Sequence, residues 1–224
     1  MNLKAAIFDF DGIILDTERV EFETWNVLYG ERGVELKWVD WSVCIGTAGA
    51  FDPYAHLERI SGRPVDRADL VGRYRAVNRE RLAGLVPMPG VVDLLREGRS
   101  AAIKLAIASS SQTEWVRDNL ALHGLTEWFD AVLVRNERLP AKPKPDLYLA
   151  ALEAVGATAG EAVAFEDSMN GIAAAKAAGI FCVAVPNAMT RGLDLSRADL
   201  IVGSLRDVTL AGLAHKLAGN GRGR

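Results

Sequence analysis

Apolar residues fall along this chain in two rhythms. Short, nearly continuous apolar runs recur at Lys4 to Phe10 (KAAIFDF), Lys104 to Ser110 (KLAIASS), Asp130 to Arg135 (DAVLVR), Glu161 to Asp167 (EAVAFED), Phe181 to Pro186 (FCVAVP) and Ala198 to Ser204 (ADLIVGS). Segments with helical spacing lie between them, at Gly90 to Glu97, Gln112 to His123, Asp146 to Val155, Asn170 to Ala178 and Asp207 to Leu217. Strands that are apolar throughout, alternating with amphipathic helices, predict an α/β chain with a parallel sheet covered on both faces.

One stretch breaks the alternation. From about Thr17 to Val86 there is no strand run, only helical patterns at Glu18 to Arg32, Tyr54 to Ile60 and Arg67 to Ala83. This predicts a helical insert over residues 17–86, with a core made of 1–16 and 87–224. The PMPG turn, Pro87 to Gly90, brings the chain back, and hinges are expected there and at Asp16 to Glu18. In open parallel sheets ligands bind beyond the carboxyl ends of the strands, and polar residues gather at those ends here.

Composition narrows the class. The chain has 224 residues, a net charge of -3 and a pI near 5.7, without the basic excess of a nucleic-acid binder. Cys44 and Cys182 sit in apolar settings and read as two buried free thiols in a reducing cytoplasm. The N-terminus is too short in apolar residues and too acidic for a signal peptide. No run approaches the ~18 apolar residues of a membrane span. Gly219 to Arg224 reads as a frayed tail. No nucleic-acid and no membrane partner is expected, and the chain is expected to act as a monomer.

The chemistry starts at Asp9 and Asp11, which straddle the end of the first strand run. Residues i and i+2 of a strand share a face, so two carboxylates would stand together and repel without a cation. Taken alone they could equally be solvated loop acids. Glu166 and Asp167 end a second run, and four converging carboxylates favour a hard, oxygen-preferring cation such as Mg²⁺. His56, His123 and His215 are scattered and read as structural or surface residues. Ser109, Ser110 and Ser111 end another run, where hydroxyls and free N–H groups make an anion site; one serine is expected to cap the next helix. Lys142, at the head of a loop stiffened by Pro143 and Pro145, could neutralise phosphate or the nucleophile. Lys144 is expected in solvent and Asp146 as the next helix cap. Together these fit phosphoryl transfer, with Asp9 as nucleophile and Asp11 as acid and base.

These motifs resemble the haloacid dehalogenase superfamily. DFDGIILDTE matches its first motif, Ser109 in IASSS the second, Lys142 in KPKPD the third, and Glu166-Asp167 in FEDSMNGI the fourth, in the family's order. The resemblance implies a Rossmann-like three-layer core and a four-helix-type cap after the first motif. It implies a phosphoaspartate at Asp9 and acid/base work by Asp11. Mg²⁺ would be held by the Asp9 side chain, the Asp11 main-chain carbonyl and Asp167, with Glu166 binding directly or through water. Ser109 and Lys142 would bind the phosphoryl group, assisted by Ser110 and Ser111. The second aspartate separates phosphate chemistry from dehalogenation.

Within the superfamily the chain is similar to the β-phosphoglucomutases and sugar-phosphate phosphatases. It departs from the mutases in having Glu21 where they carry a cap histidine. It also lacks arginine and lysine in the loop from Cys44 to Leu57, where they clamp a distal phosphate. The expectation is therefore a phosphatase whose partner is a small phosphorylated metabolite, with a phosphosugar mutase as the alternative. A signalling receiver domain is disfavoured, because the acidic pair ends the first strand and a helical insert follows. Arg73, Arg75, Arg79 and Arg81 read as a solvated helix face. Trp25 reads as insert core, with Trp38 and Trp41 less decided between core and sugar stacking.

Overall fold

The computed structural model describes residues 3–42 and 51–220. Six strands, β1 (Ala5–Phe8), β2 (Lys104–Ser109), β3 (Ala131–Val134), β4 (Ala162–Glu166), β5 (Phe181–Ala184) and β6 (Leu200–Ile201), form one parallel sheet. Their order is β3-β2-β1-β4-β5-β6. The chain fills one side of β1 first and then the other, so the direction of winding reverses between β1 and β4. A crevice opens at the carboxyl ends where that happens.

Between β1 and the rest of the sheet come α1 (Thr17–Gly30), α2 (Trp38–Trp41), α3 (Pro53–Ser61) and α4 (Arg67–Ala83). The core helices are α5 (Val91–Ser100), α6 (Thr113–Leu122), α7 (Asp146–Val155), α8 (Met169–Ala177) and α9 (Leu210–Asn220). Alternate β1 residues feed opposite layers. Ala6 and Phe8 pack with Leu94 and Leu95 of α5, Val116 and Leu120 of α6, and Leu213 of α9. Ala5 and Ile7 pack with Leu147 and Ala151 of α7 and Ile172 and Ala175 of α8. Small residues on this second face let helix and sheet approach closely. All four β1 residues are buried, as a central strand between two helical layers requires. Phe8 stacks on Phe165 of β4 with centroids 4.8 Å apart, tying the two strands that flank the crevice.

The inserted helices have their own apolar cluster, built on Trp25, Leu28, Tyr29, Leu57 and Leu70, with Met189 packed into it from beyond β5. Asp52 and Asp66 cap α3 and α4 by accepting backbone N–H bonds, and Pro53 starts α3. Trp25 packs against Tyr54 and Tyr74, and Trp41 is buried, so both are cluster residues. Trp38 remains 39% exposed, edge-on to Phe22. Arg73 and Arg81 pair with Glu31 and Glu23, while Arg75 and Arg79 are exposed. The two crossings between insert and core are joined: the Met88 N–H donates to the Ile14 carbonyl at 2.9 Å.

The sequence expectations are corrected at several ends. The helix α2 was not anticipated, and β6 is only two residues long. No serine caps α6; its N-cap is Gln112, and Ser111 is drawn away to Asp11. Asp146 is the first residue of α7 rather than its cap, which is Pro145. Lys144 is exposed, as expected. Cys44, residues 44–50 of the loop read for a phosphate clamp, and residues 221–224 of the expected tail lie outside the described residues; Gly219 and Asn220 end α9. Among the described residues no helix is long and apolar enough to cross a membrane.

Candidate active site

The site forms where β1, β2 and β4 end side by side. Asp9 leaves β1 with its N–H donating to the Phe165 carbonyl at 2.9 Å. Its carboxylate joins those of Glu166 and Asp167; one oxygen from each lies within 4.8 Å of the others, and all three residues are buried. Burial, with Glu166 adding to it, pushes Asp9 up to about 7 against the pull of Lys142. Asp167 is raised well above the ordinary carboxylate range by burial and by Asp9 and Glu166.

Lys142 enters from the loop before α7. Its ammonium lies 2.7 Å from Asp9 Oδ1 and 2.6 Å from Glu166 Oε1. Burial alone would lower its pKa, but the two carboxylates outweigh burial and hold it above its usual range. The Lys142 N–H donates to Ser110 Oγ at 3.1 Å, and the Lys142-Pro143 peptide is cis. Ser110 thus supports the lysine loop.

Each acid is fixed by a different set of donors. Glu166 Oε1 accepts from Tyr148 at 2.7 Å as well as from Lys142, and Oε2 accepts from Ser168 Oγ and the Asp167 N–H, each at 3.2 Å. There is no room beside it: a Cβ on Gly171 would come within 1.9 Å of the Glu166 carboxyl group. Asp167 Oδ2 accepts from the Asn187 side-chain amide at 2.7 Å, and the same nitrogen lies 3.2 Å from the Gly12 carbonyl. Asn187 is itself oriented by the Met189 and Thr190 N–H groups, which donate to its Oδ1. Gly12 has φ +83°, and a Cβ there would collide with Asp167 Oδ2.

Asp11 does not share the Asp9 environment. The strand ends at Phe8, so strand alternation no longer sets the two side chains. Asp11 is half-buried and accepts from Thr17 Oγ1 at 2.6 Å, Trp115 Nε1 at 2.8 Å and Ser111 Oγ at 2.5 Å. Ser109 is fully buried, and its Oγ accepts the Ser111 N–H at 3.0 Å.

The insert contributes acids as well. Glu18 and Glu21 of α1 are half-buried over the core carboxylates. Burial, then Asp11, raises Glu21 to about 7, against a hydrogen bond from Tyr74. Burial, then Glu21, Asp11, Asp167 and Asp9, raises Glu18 well above its ordinary value. A cleft of about 250 Å³ between insert and core is lined by Glu21, Ser110, Ser111, Gln112, Trp115 and Arg135.

Asp9, Ser109, Ser110, Lys142, Glu166 and Asp167 thus converge, and Asp11 stands beside them with its own partners. One buried ammonium faces a group of carboxylates whose charged forms burial disfavours. That all-oxygen set fits a hard divalent cation. Sequence reasoning missed Asn187, Tyr148, Trp115 and Glu18. Asn187 carried a signal, since it lies just beyond the β5 run at a carboxyl end. His56 is buried against Tyr29, 3.0 Å from its hydroxyl, and His215 is exposed, so both lie apart from the site.

A family model described as haloacid dehalogenase-like hydrolase matches residues 6–185. The chain is 37% identical to YhcW of Bacillus subtilis over 96% of its own length and 98% of the relative's. It is 29% identical to the validoxylamine A 7'-phosphate phosphatase of Streptomyces hygroscopicus subsp. limoneus, covering 92% of this chain and 95% of that one. The crystal structure of a CbbY variant from Rhodobacter sphaeroides in complex with xylulose-(1,5)bisphosphate superposes with a TM-score of 0.77. There the identity is 28%, over 94% of this chain and 99% of the other.

Proposed function

Since this chain belongs to the haloacid dehalogenase-like hydrolase family and is a phosphoric monoester hydrolase, we propose that it hydrolyses a small sugar phosphate through a phosphoaspartate on Asp9. In this reading it works as a cytoplasmic monomer, with residues 17–86 forming a cap over a core of 1–16 and 87–224. The observation that carries the reading is the Asp9 carboxylate, buried at the switch point of the sheet and held 2.7 Å from Lys142 beside Asp167.

Asp9 attacks phosphorus, an Asp9 O–P bond forms and the ester P–O bond breaks. Asp11 gives the leaving oxygen its proton. Asp11 then takes a proton from water, the water oxygen attacks phosphorus, and the Asp9 O–P bond breaks to release phosphate. Lys142 and Ser109 hold the phosphoryl oxygens, and Ser110 keeps Lys142 in place. The Asp9 and Asp167 side chains and the Asp11 main-chain carbonyl would hold Mg²⁺. Glu166, whose two oxygens already accept four hydrogen bonds from Lys142, Tyr148, Ser168 and the Asp167 N–H, serves to position the lysine. When bound, Mg²⁺ would supply positive charge that offsets the repulsion between the carboxylates and an anionic phosphoryl group. Thr17, the first residue of α1, donates to Asp11, so the proton-transfer group is attached to the base of the cap.

Hydrolysis is favoured over mutase chemistry because Glu21 stands where the mutases place a histidine. The relatives support a phosphosugar class: one is named a validoxylamine A 7'-phosphate phosphatase, and another was crystallised with xylulose-(1,5)bisphosphate. The test is a panel of phosphorylated metabolites assayed for phosphate release with Mg²⁺. Asp9→Asn is expected to lose about 10³-fold or more in kcat. Unchanged turnover in that variant overturns the nucleophile, and isomerised product without released phosphate overturns the hydrolase reading.

A further inference from the structure

We propose that Arg135 binds a second anionic group of the substrate, a carboxylate or a further phosphate carried on the leaving group, in the cleft between α1 and α6. This rests on the phosphatase reading above and deepens it to a class of substrate.

Arg135 is placed by the sheet. It follows β3, whose Val134 is in register with Ser109, and its N–H donates to the Ser109 carbonyl at 3.1 Å. Its side chain therefore starts from the strand end next to the serine assigned to the phosphoryl group. It lines the cleft of about 250 Å³ together with Glu21, Ser111 and Trp115. Ser111 and Trp115 both donate to Asp11, so this cleft opens onto the group that handles the leaving oxygen. Arg135 also lines an adjoining hollow of about 440 Å³ with Gln112, Thr113 and Asn136.

Its guanidinium is half-buried and only partly satisfied. Nε is buried with no hydrogen-bond partner, and the side chain forms no ion pair among the described residues. Several other half-buried or exposed arginines have carboxylate partners, among them Arg19 with Asp16, Arg73 with Glu31, Arg81 with Glu23 and Arg99 with Asp130. A partly desolvated guanidinium without an acceptor is unfavourable, and its planar fork matches a carboxylate or phosphate. The chain supplies no such group, and the cleft receives the leaving group of the ester. Glu21 of α1 lines the same cleft and offers hydrogen bonds to hydroxyls, so a hydroxylated body would lie on the α1 side and the anion on the Arg135 side. A neutral polyol alone would leave the guanidinium unpaired.

The experiment compares matched esters with Mg²⁺: glycerol 3-phosphate against 3-phosphoglycerate, and fructose 6-phosphate against fructose 1,6-bisphosphate. The first pair reads a carboxylate and the second a further phosphate. In the unaltered enzyme, at least one anionic member is expected to exceed its neutral partner in kcat/KM by about tenfold or more. Arg135→Gln is expected to bring that ratio close to one, mainly through KM, and Arg135→Lys to restore part of it. A melting curve shows whether each variant is folded, and the Lys variant decides if the Gln variant is not. Hydrolysis of neutral members with no anionic preference, or a ratio unmoved by both substitutions, overturns the Arg135 assignment and leaves the phosphatase reading standing. Failure to release phosphate from any ester, across the metabolite panel as well, overturns the phosphatase reading and this inference with it.

Discussion

Asn187 holds Asp167 from beyond β5: its amide donates to Asp167 Oδ2 at 2.7 Å, while Met189 and Thr190 fix the amide oxygen. A residue that orients a metal-binding carboxylate tunes affinity without touching the metal. Asn187→Ala is expected to raise the Mg²⁺ concentration for half-maximal activity by about 10- to 100-fold. Titration of phosphate release against Mg²⁺ reads this, and an unchanged midpoint would remove Asn187 from the site.

Trp115 donates to Asp11 through its indole N–H, alongside Thr17 and Ser111. Trp115→Phe keeps most of the ring and removes that donor. If Asp11 acts as the proposed acid and base, a reduction of roughly 10-fold in kcat is expected from its poorer orientation. A change confined to KM would mean that Trp115 serves the substrate and not Asp11.

Gly171 lies against Glu166 so closely that a Cβ would fall within 1.9 Å of the carboxyl carbon. Gly171→Ala must push Glu166 aside, and with it Lys142. A loss of roughly 2–4 kcal/mol in unfolding free energy is expected, despite the better helix propensity of alanine. Ala at Gly30, where a Cβ meets nothing within 4 Å, serves as the control. Equal behaviour of the two variants in denaturant would contradict the packing at Glu166.

Glu21 is raised from an ordinary 4.5 to about 7, by burial first and Asp11 second. The folded protein therefore holds this proton more tightly than the unfolded chain. The associated stability is fully present below 4.5 and is lost as pH rises through about 7. In metal-free protein, Glu21→Gln should reduce the loss of stability between about pH 5 and pH 8 by roughly 1–3 kcal/mol. Denaturant midpoints at the two pH values measure it, and parallel losses in both proteins would show that Glu21 is not desolvated.

Strands β1, β2 and β4 were legible because buried parallel strands need apolar residues on both faces, and their ends were marked by the acids and serines of the site. Lys142 was legible from its prolines. The donor network was not, because it depends on which strand ends are neighbours: Asn187 reaches Gly12 and Asp167 across the β4-β5 end. The serine run illustrates a different limit. A helix cap and an acid partner are both good uses of Ser111, and local sequence does not rank them; the structure gives Ser111 to Asp11 and leaves α6 with Gln112 at its cap. Glu18 of α1 was equally hidden, since an exposed helix face and a face turned onto the sheet share one periodicity.

The hydrogen bond from Met88 to Ile14 makes the insert a loop closed at its base. The core then meets the same two neighbouring anchor points whatever hangs from them, and the entropy of closing such a loop grows only slowly with its length. Helices could be added to or removed from this segment at little expense to the sheet. Residues of the insert can therefore change in evolution more freely than Asp9, Lys142 and Asp167, which stand at the ends and loops of the sheet itself. A chemistry fixed in one part of the chain can in this way be passed from one leaving group to another by revising a separate part.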